Sequence, residues 1–178
     1  MNIIKTSIED IFILELFSFK DDRGEFVKTI HKETFEKYNL EYIFTESFYS
    51  VSKKNVIRGM HFQTPPMDHA KLVYVVSGKI LDVVVDLRKG STFGKHYSVE
   101  LSDENRKGVY IGKGFAHGFL ALEDNTVVEY HTTSSQSKQH EAGILWDSFG
   151  FDWGVSNPVL SLRDQNFNSF DLETKYFL

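Results

Sequence analysis

The alternation of apolar and polar positions describes a chain of short strands. Leu72 to Val76 is an unbroken apolar run closed by the turn pair Ser77-Gly78. Lys79 to Leu87 carries Ile80, Val83, Val84 and Val85, too apolar for a strand with one wet face, and Arg88-Lys89-Gly90-Ser91 ends it. Tyr97, Val99 and Leu101 then alternate with Ser98 and Glu100, the period of a half-buried strand. Val109 to Ile111, Phe119 to Leu122 and Thr126 to Thr132 follow, the last two separated by Glu123-Asp124-Asn125. Short strands at roughly 8–12-residue spacing predict an all-β sandwich or barrel, here over about residues 42 to 132. Ahead of them one helix is predicted over Lys32 to Tyr38, with Asn39 as its stop. After Trp153 the pattern is irregular, and Asn157-Pro158 favours a turn. Strands do not alternate with long helices and no Gly-rich phosphate loop is present, which argues against a parallel nucleotide-binding sheet.

Composition narrows the class. A length of 178 residues fits one domain, read as 1–178, with ample material for a core. The 16 Phe and 8 Tyr against 3 Pro suit packed sheets. With no Cys, disulfide scaffolds, zinc ribbons and iron–sulfur sites are excluded. A net charge of −5 argues against nucleic acid as a partner, yet leaves room for a basic pocket that takes a small anion. No apolar stretch approaches the roughly 18 residues of a membrane span and no targeting segment is visible, so a cytoplasmic protein without a membrane partner is expected.

Seven histidines and no cysteine make histidine the obvious reactive group. His61 and His117 each sit between apolar residues on a predicted strand. Either one alone reads as a core histidine held by a backbone carbonyl; two together in a barrel suggest a shared cavity. A metal site fits less well. The position on the same face as His61 is Gln63, and His69, after Pro65-Pro66, reads as loop. Arg23, Arg58 and Lys71 recur near these histidines, and two Arg with Lys and His would match a diphosphate or sugar phosphate.

Several segments together carry a resemblance. They are Asp22-Arg23-Gly24, Val56-Ile57-Arg58-Gly59-Met60-His61-Phe62-Gln63, Lys71-Leu72-Val73, Asp82 to Lys89, Gly114-Phe115-Ala116-His117-Gly118-Phe119, Gly143 to Asp147, and Leu160-Ser161-Leu162-Arg163-Asp164. In order and spacing, over roughly residues 20 to 165, the chain closely resembles the dTDP-4-dehydrorhamnose 3,5-epimerase family of the cupin superfamily. The resemblance implies a cupin-type jelly roll with short flanking helices. It implies a nucleoside-diphosphate 4-keto-6-deoxy sugar as substrate, epimerisation without metal or other cofactor, and a homodimer. By motif position His61 would be the general base, oriented by Asp164. Lys71 would steady the enolate, and Tyr130 would deliver a proton on the opposite face. Arg23 and Arg58 would hold the diphosphate, His117 would contact the sugar, and Gln63 would join the substrate-binding set.

The chain also departs from the family pattern. Where the family often has Tyr five or six residues after the catalytic tyrosine, this chain has Ser135 and Gln136, and Gly112-Lys113 replace a usual Pro. At the positions that would contact the nucleobase stand Lys28, Glu46 and Phe48, a set that suits guanine's adjacent donors better than the usual amides do. The alternatives are therefore an epimerase restricted to one carbon or acting on a GDP-4-keto-heptose, and a non-catalytic sugar-nucleotide-binding cupin. A metal-dependent cupin oxygenase lacks its ligand pattern.

Overall fold

The computed structural model describes residues 1–177. Two antiparallel sheets pack face to face. One has the order β1 (Asn2–Lys5), β2 (Ile11–Glu15), β10 (Lys107–Ile111), β7 (Lys71–Ser77), β12 (Thr126–Thr132), β5 (Glu46–Ser52). The other has the order β13 (Glu141–Gly143), β6 (Ile57–Gln63), β11 (Phe115–Ala121), β8 (Lys79–Asp86), β9 (His96–Ser102). Strands neighbouring in space are mostly distant in sequence, as in a jelly roll. A separate hairpin, β3 (Phe17–Asp21) with β4 (Gly24–Lys28), lies against the six-stranded sheet through Val27 and the Glu25–Arg106 ion pair.

The apolar runs of the sequence are explained by three clusters rather than one. Val73, Val75, Ile80, Val84, Phe115 and Phe119 fill the space between the sheets. On the outer face of the five-stranded sheet, Val83, Val85, Ala116 and Leu120 pack beneath a C-terminal cover that includes Ile144, Phe149 and Trp153. On the outer face of the other sheet, Leu72 and Tyr110 pack under Phe35 of α1 (Lys32–Lys37) and Leu40. Strands wrapped on both faces lose the polar half of their alternation. All seven residues of β11 are buried for this reason.

α1 ends at the stop expected at Asn39. Asn39 takes φ 55, its N–H bonds to the Glu36 carbonyl at 3.0 Å, and the Leu40 N–H reaches the Phe35 carbonyl at 3.0 Å. That is a Schellman closure with an apolar Phe35–Leu40 contact. The sheets extend beyond the predicted 42–132 range. β1 and β2 precede it and β13 follows; of the hairpin, β3 is exposed throughout, while β4 alternates exposed residues with the half-buried Glu25 and Val27. The irregular C-terminal part is ordered by the sandwich. A parallel bridge between Val56 and Val159 and a bond from the Ile57 N–H to the Val159 carbonyl (3.0 Å) lay it along β6.

Candidate active site

A cavity of about 1080 Å³ opens between the two sheets under this C-terminal cover. Its architecture starts at a bulge. Gly59 and Gly118 cross so closely that a Cβ on Gly59 would stand 2.6 Å from the Gly118 Cα, and Gly59 has φ +135. Only glycines allow that approach. The pairing of β11 with β6 shifts register there, from His117↔His61 to Phe119↔Arg58. Ile57, Met60 and Phe62 face the outer cluster, so Arg58 and His61, three apart, both reach the cavity.

His61 Nε2 lies 2.8 Å from Asp164 Oδ1. Asp164 sits in α2 (Leu162–Gln165), a single turn capped by Ser161, whose Oγ accepts the Asp164 N–H at 3.1 Å. The other carboxylate oxygen accepts the Gly59 N–H at 3.3 Å. Burial alone would raise the Asp164 pKa; the bond and charge of His61, the Gly59 N–H and Ser161 outweigh it and hold the group below the usual carboxylate range. An ionised Asp164 only accepts, so the network assigns the proton of the neutral ring to Nε2 and leaves Nδ1 as the basic nitrogen. Burial lowers the His61 pKa, opposed by Asp164 and reinforced by the charges of Arg163 and Lys71.

A second histidine–carboxylate pair lies deeper. His117 Nε2 is 2.7 Å from Asp82 Oδ2, and Asp82 Oδ1 is buried with no hydrogen-bond partner. Lys71, first residue of β7, is buried, and no carboxylate among the described residues comes within ion-pair distance of it. Burial brings its pKa down to about 8, with Asp82 pulling the other way. Tyr130 on β12 faces the same space, its ring stacked on Phe48 at 4.9 Å and edge-on to His117 at 6.3 Å. Its hydroxyl is 3.5 Å from Ser50 Oγ, and burial pushes its pKa well above the ordinary tyrosine value.

His61, Asp164, Lys71, Tyr130, Arg58, His117, Gln63, Glu46 and Phe48 all line this cavity. Arg58 donates to Ser52 Oγ (3.0 Å) and to the Val51 carbonyl (3.1 Å). Gln63 braces the following loop, donating to the Met67 carbonyl at 2.7 Å and accepting the Ser137 N–H at 2.6 Å. Glu46 accepts the Gln136 N–H at 3.1 Å. Arg23 and Lys28 are not brought there within one chain. Arg23 lies on the exposed hairpin turn, forked on Asp21, and Lys28 ends the hairpin opposite Phe17. Among the described residues there is no Lys28–Glu46 ion pair.

The cavity holds residues that the sequence pattern did not single out as binding groups: Arg163, Glu141, Lys138 and Phe167. Only Arg163, next to Asp164 in a matched segment, carried any signal. His69, read as loop, is in a loop and lines the cavity too; burial and the Lys71 charge bring its pKa down to about 3. Among the described residues no group of three or more His, Asp or Glu is arranged to hold a metal ion, and no helix is long and apolar enough to cross a membrane.

Fold and cavity together place the chain among the cupin-type jelly-roll enzymes. It belongs to the dTDP-4-dehydrorhamnose 3,5-epimerase family of isomerases, whose family model matches residues 5–171. The dTDP-4-dehydrorhamnose 3,5-epimerase of Shigella flexneri is 42% identical over 182 residues, covering 100% of both chains. A crystal structure of the Legionella pneumophila dTDP-6-deoxy-D-glucose-3,5-epimerase in complex with dTDP-4-keto-L-rhamnose is 34% identical, with TM-score 0.91 and coverage of 97% of this chain and 94% of that one. A 3'-monoepimerase from Streptomyces bikiniensis in complex with dTDP-quinovose matches with TM-score 0.87 at 28% identity, covering 92% and 85%.

Proposed function

We propose that this chain, acting as one domain over residues 1–178, epimerises a dTDP-linked 4-keto-6-deoxy sugar in the cytoplasm, for surface-polysaccharide synthesis. The observation that carries the reading is the convergence of His61–Asp164 from one sheet and the C-terminal cover with Lys71 and Tyr130 from the other sheet on a single cavity. A ketone at carbon 4 acidifies the hydrogens on carbons 3 and 5. Nδ1 of His61 takes one of them. The C–H electron pair becomes the enolate double bond, and the carbonyl pair moves to oxygen 4. The Lys71 ammonium meets that oxyanion in a water-poor wall. With a pKa of about 8 it is still charged near neutrality. Tyr130, kept protonated by burial, returns a proton on the opposite face, and Asp164 steadies the imidazolium meanwhile. Every step uses groups of the protein.

Arg58 and Arg23 are assigned the diphosphate, His117 the sugar, and Phe48 and Glu46 the base. For Arg23 and Lys28 this requires a second copy of the chain. The hairpin that bears them exposes Phe17, Phe19 and Phe26, and the edge strand β5 exposes Phe48, Tyr49 and Val51. Apolar surface of that extent on a hairpin and a sheet edge supports a homodimer.

Incubation with dTDP-4-keto-6-deoxyglucose in deuterated water tests the reading: deuterium enters carbons 3 and 5. Absence of deuterium from both carbons, with a GDP-linked 4-keto sugar run in parallel, would overturn it; exchange on the GDP sugar alone would move the nucleotide assignment. One observation favours slower exchange at one carbon. The wall at Gln136 is polar, its side chain bonded to Glu141, and the neighbouring Ser135 carbonyl is tied to Gln63.

A further inference from the structure

Arg163 touches the same nitrogen that Asp164 does. Its Nη2 stands 3.0 Å from His61 Nε2, its Nη1 3.2 Å from Glu141 Oε2, and its Nε 3.6 Å from Asp164 Oδ1. The guanidinium also lies over the Phe167 ring, which meets His61 edge-on. Nε2 cannot both donate to Asp164 and accept from Arg163. With its proton directed at Asp164, Nη2 of the guanidinium is left without an acceptor against the ring that must itself become a cation, while Nη1 stays on Glu141. Asp164 is meanwhile shared between the neutral His61 ring, which donates to it, and the Arg163 cation. Arg163 is half exposed at the cavity wall, unlike Asp164, and its ion pair with the partly exposed Glu141 is of the weak surface kind that a diphosphate can displace.

We propose that Arg163 is a positioning residue that couples arrival of the substrate's anionic group to the strength of the His61 base. The proposal rests on the reading of His61 as that base. In the free protein the guanidinium disfavours the imidazolium. A diphosphate entering the cavity draws Arg163 onto itself, and Asp164 then serves His61 alone. Proton abstraction is thereby favoured only when the substrate is seated.

The other groups facing His61 are Lys71 on β7, His117 opposite it on β11 with Asp82 behind, and Glu141 on β13, which is bonded to Arg163. Lys71 acts in the same direction as Arg163 but is buried and has no such exit.

The test is an NMR titration of His61 in the full chain, with its ring signals assigned by their loss in His61→Gln. In the wild type, inorganic diphosphate raises the His61 pKa. In Arg163→Gln the value without diphosphate is already higher by roughly 1, the effect of one neighbouring charge, and diphosphate adds little. Arg163→Lys keeps the charge and titrates like the wild type. An unchanged His61 titration in Arg163→Gln, or equal diphosphate responses in both proteins, would overturn the proposal. So would a lysine variant that titrates like the glutamine one. In turnover, the acid limb of kcat/KM moves up in Arg163→Gln while that of kcat stays. Because the titration needs no turnover, failure of the epimerase reading and failure of this coupling are separate results.

Discussion

The cavity holds two histidine–aspartate pairs of nearly the same length, 2.8 Å for His61–Asp164 and 2.7 Å for His117–Asp82, and their surroundings differ. The side-chain exposures are 32% and 4% in the first pair and 5% and 0% in the second. The outer pair combines a histidine that reaches the open cavity with a carboxylate satisfied by the Gly59 N–H and the capped turn of α2. The inner pair is nearly buried, with the His117 ring edge-on to Tyr130 at the cavity wall, and leaves one carboxylate oxygen unpartnered. A hydrogen-bonded His–Asp pair is therefore not in itself a catalytic signature. On the function proposed above, exposure to the cavity and full satisfaction of the carboxylate would separate a pair that cycles a proton from one that shapes the wall.

The comparison can be broken most sharply at the outer histidine. His61→Ala is expected to lower deuterium incorporation into the 4-keto sugar by roughly 10²–10⁴-fold, the range for loss of a general base. Asp164→Asn keeps the ring but removes its charge partner. A loss of roughly 10²-fold, at the low end of that range, is expected in the same assay. The inner pair should answer in a different measurement. His117→Ala strands the Asp82 charge and should cost about 3–5 kcal/mol in urea unfolding, while losing far less exchange per folded molecule than His61→Ala. Equal loss of exchange in the two histidine variants would erase the distinction between the pairs.

The pH dependence gives a finer test, with Lys71 between the two pairs. Because the His61 pKa is lowered, the basic form should persist below the ordinary 6.5, and exchange should fall only at more acid pH. On the alkaline side exchange should decline through about 8 as Lys71 loses its proton. Stability should move the other way. The folded protein loses that proton at about 8 and the unfolded chain near the ordinary 10.5, so the unfolded state binds more protons in between. The Lys71 contribution to stability therefore rises with pH across that window. Lys71→Met should abolish both the alkaline limb and this rise. A rise that survives in Lys71→Met would assign it to another group.

Much of the fold was legible because burial on both faces writes long apolar runs, as at β7 and β8, and because turn pairs such as Ser77-Gly78 punctuate them. The hairpin β3–β4 was not, since β3 is exposed throughout and only Glu25 and Val27 of β4 turn towards the sandwich, too few positions to write a period. Of the site, His61, His117 and Lys71 could be suspected from their place among apolar neighbours. Asp164 emerged only through the resemblance, and Arg163 was seen beside it without a role.

The sequence by itself determined the all-β class, the strand spacing and the residue types available for proton transfer, since these follow from local periodicity and side-chain chemistry. The meeting of those residues was decided by tertiary structure. Arg58 and His61 are three apart and would face opposite sides of a regular strand; the Gly59–Gly118 crossing turns both to the cavity. Asp164 reaches His61 across 103 residues because the C-terminal segment is laid along β6. Arg23, by contrast, stays on its hairpin outside the cavity of its own chain. No local period encodes such placements, because they arise from long-range strand pairing and from where a glycine lets two backbones touch.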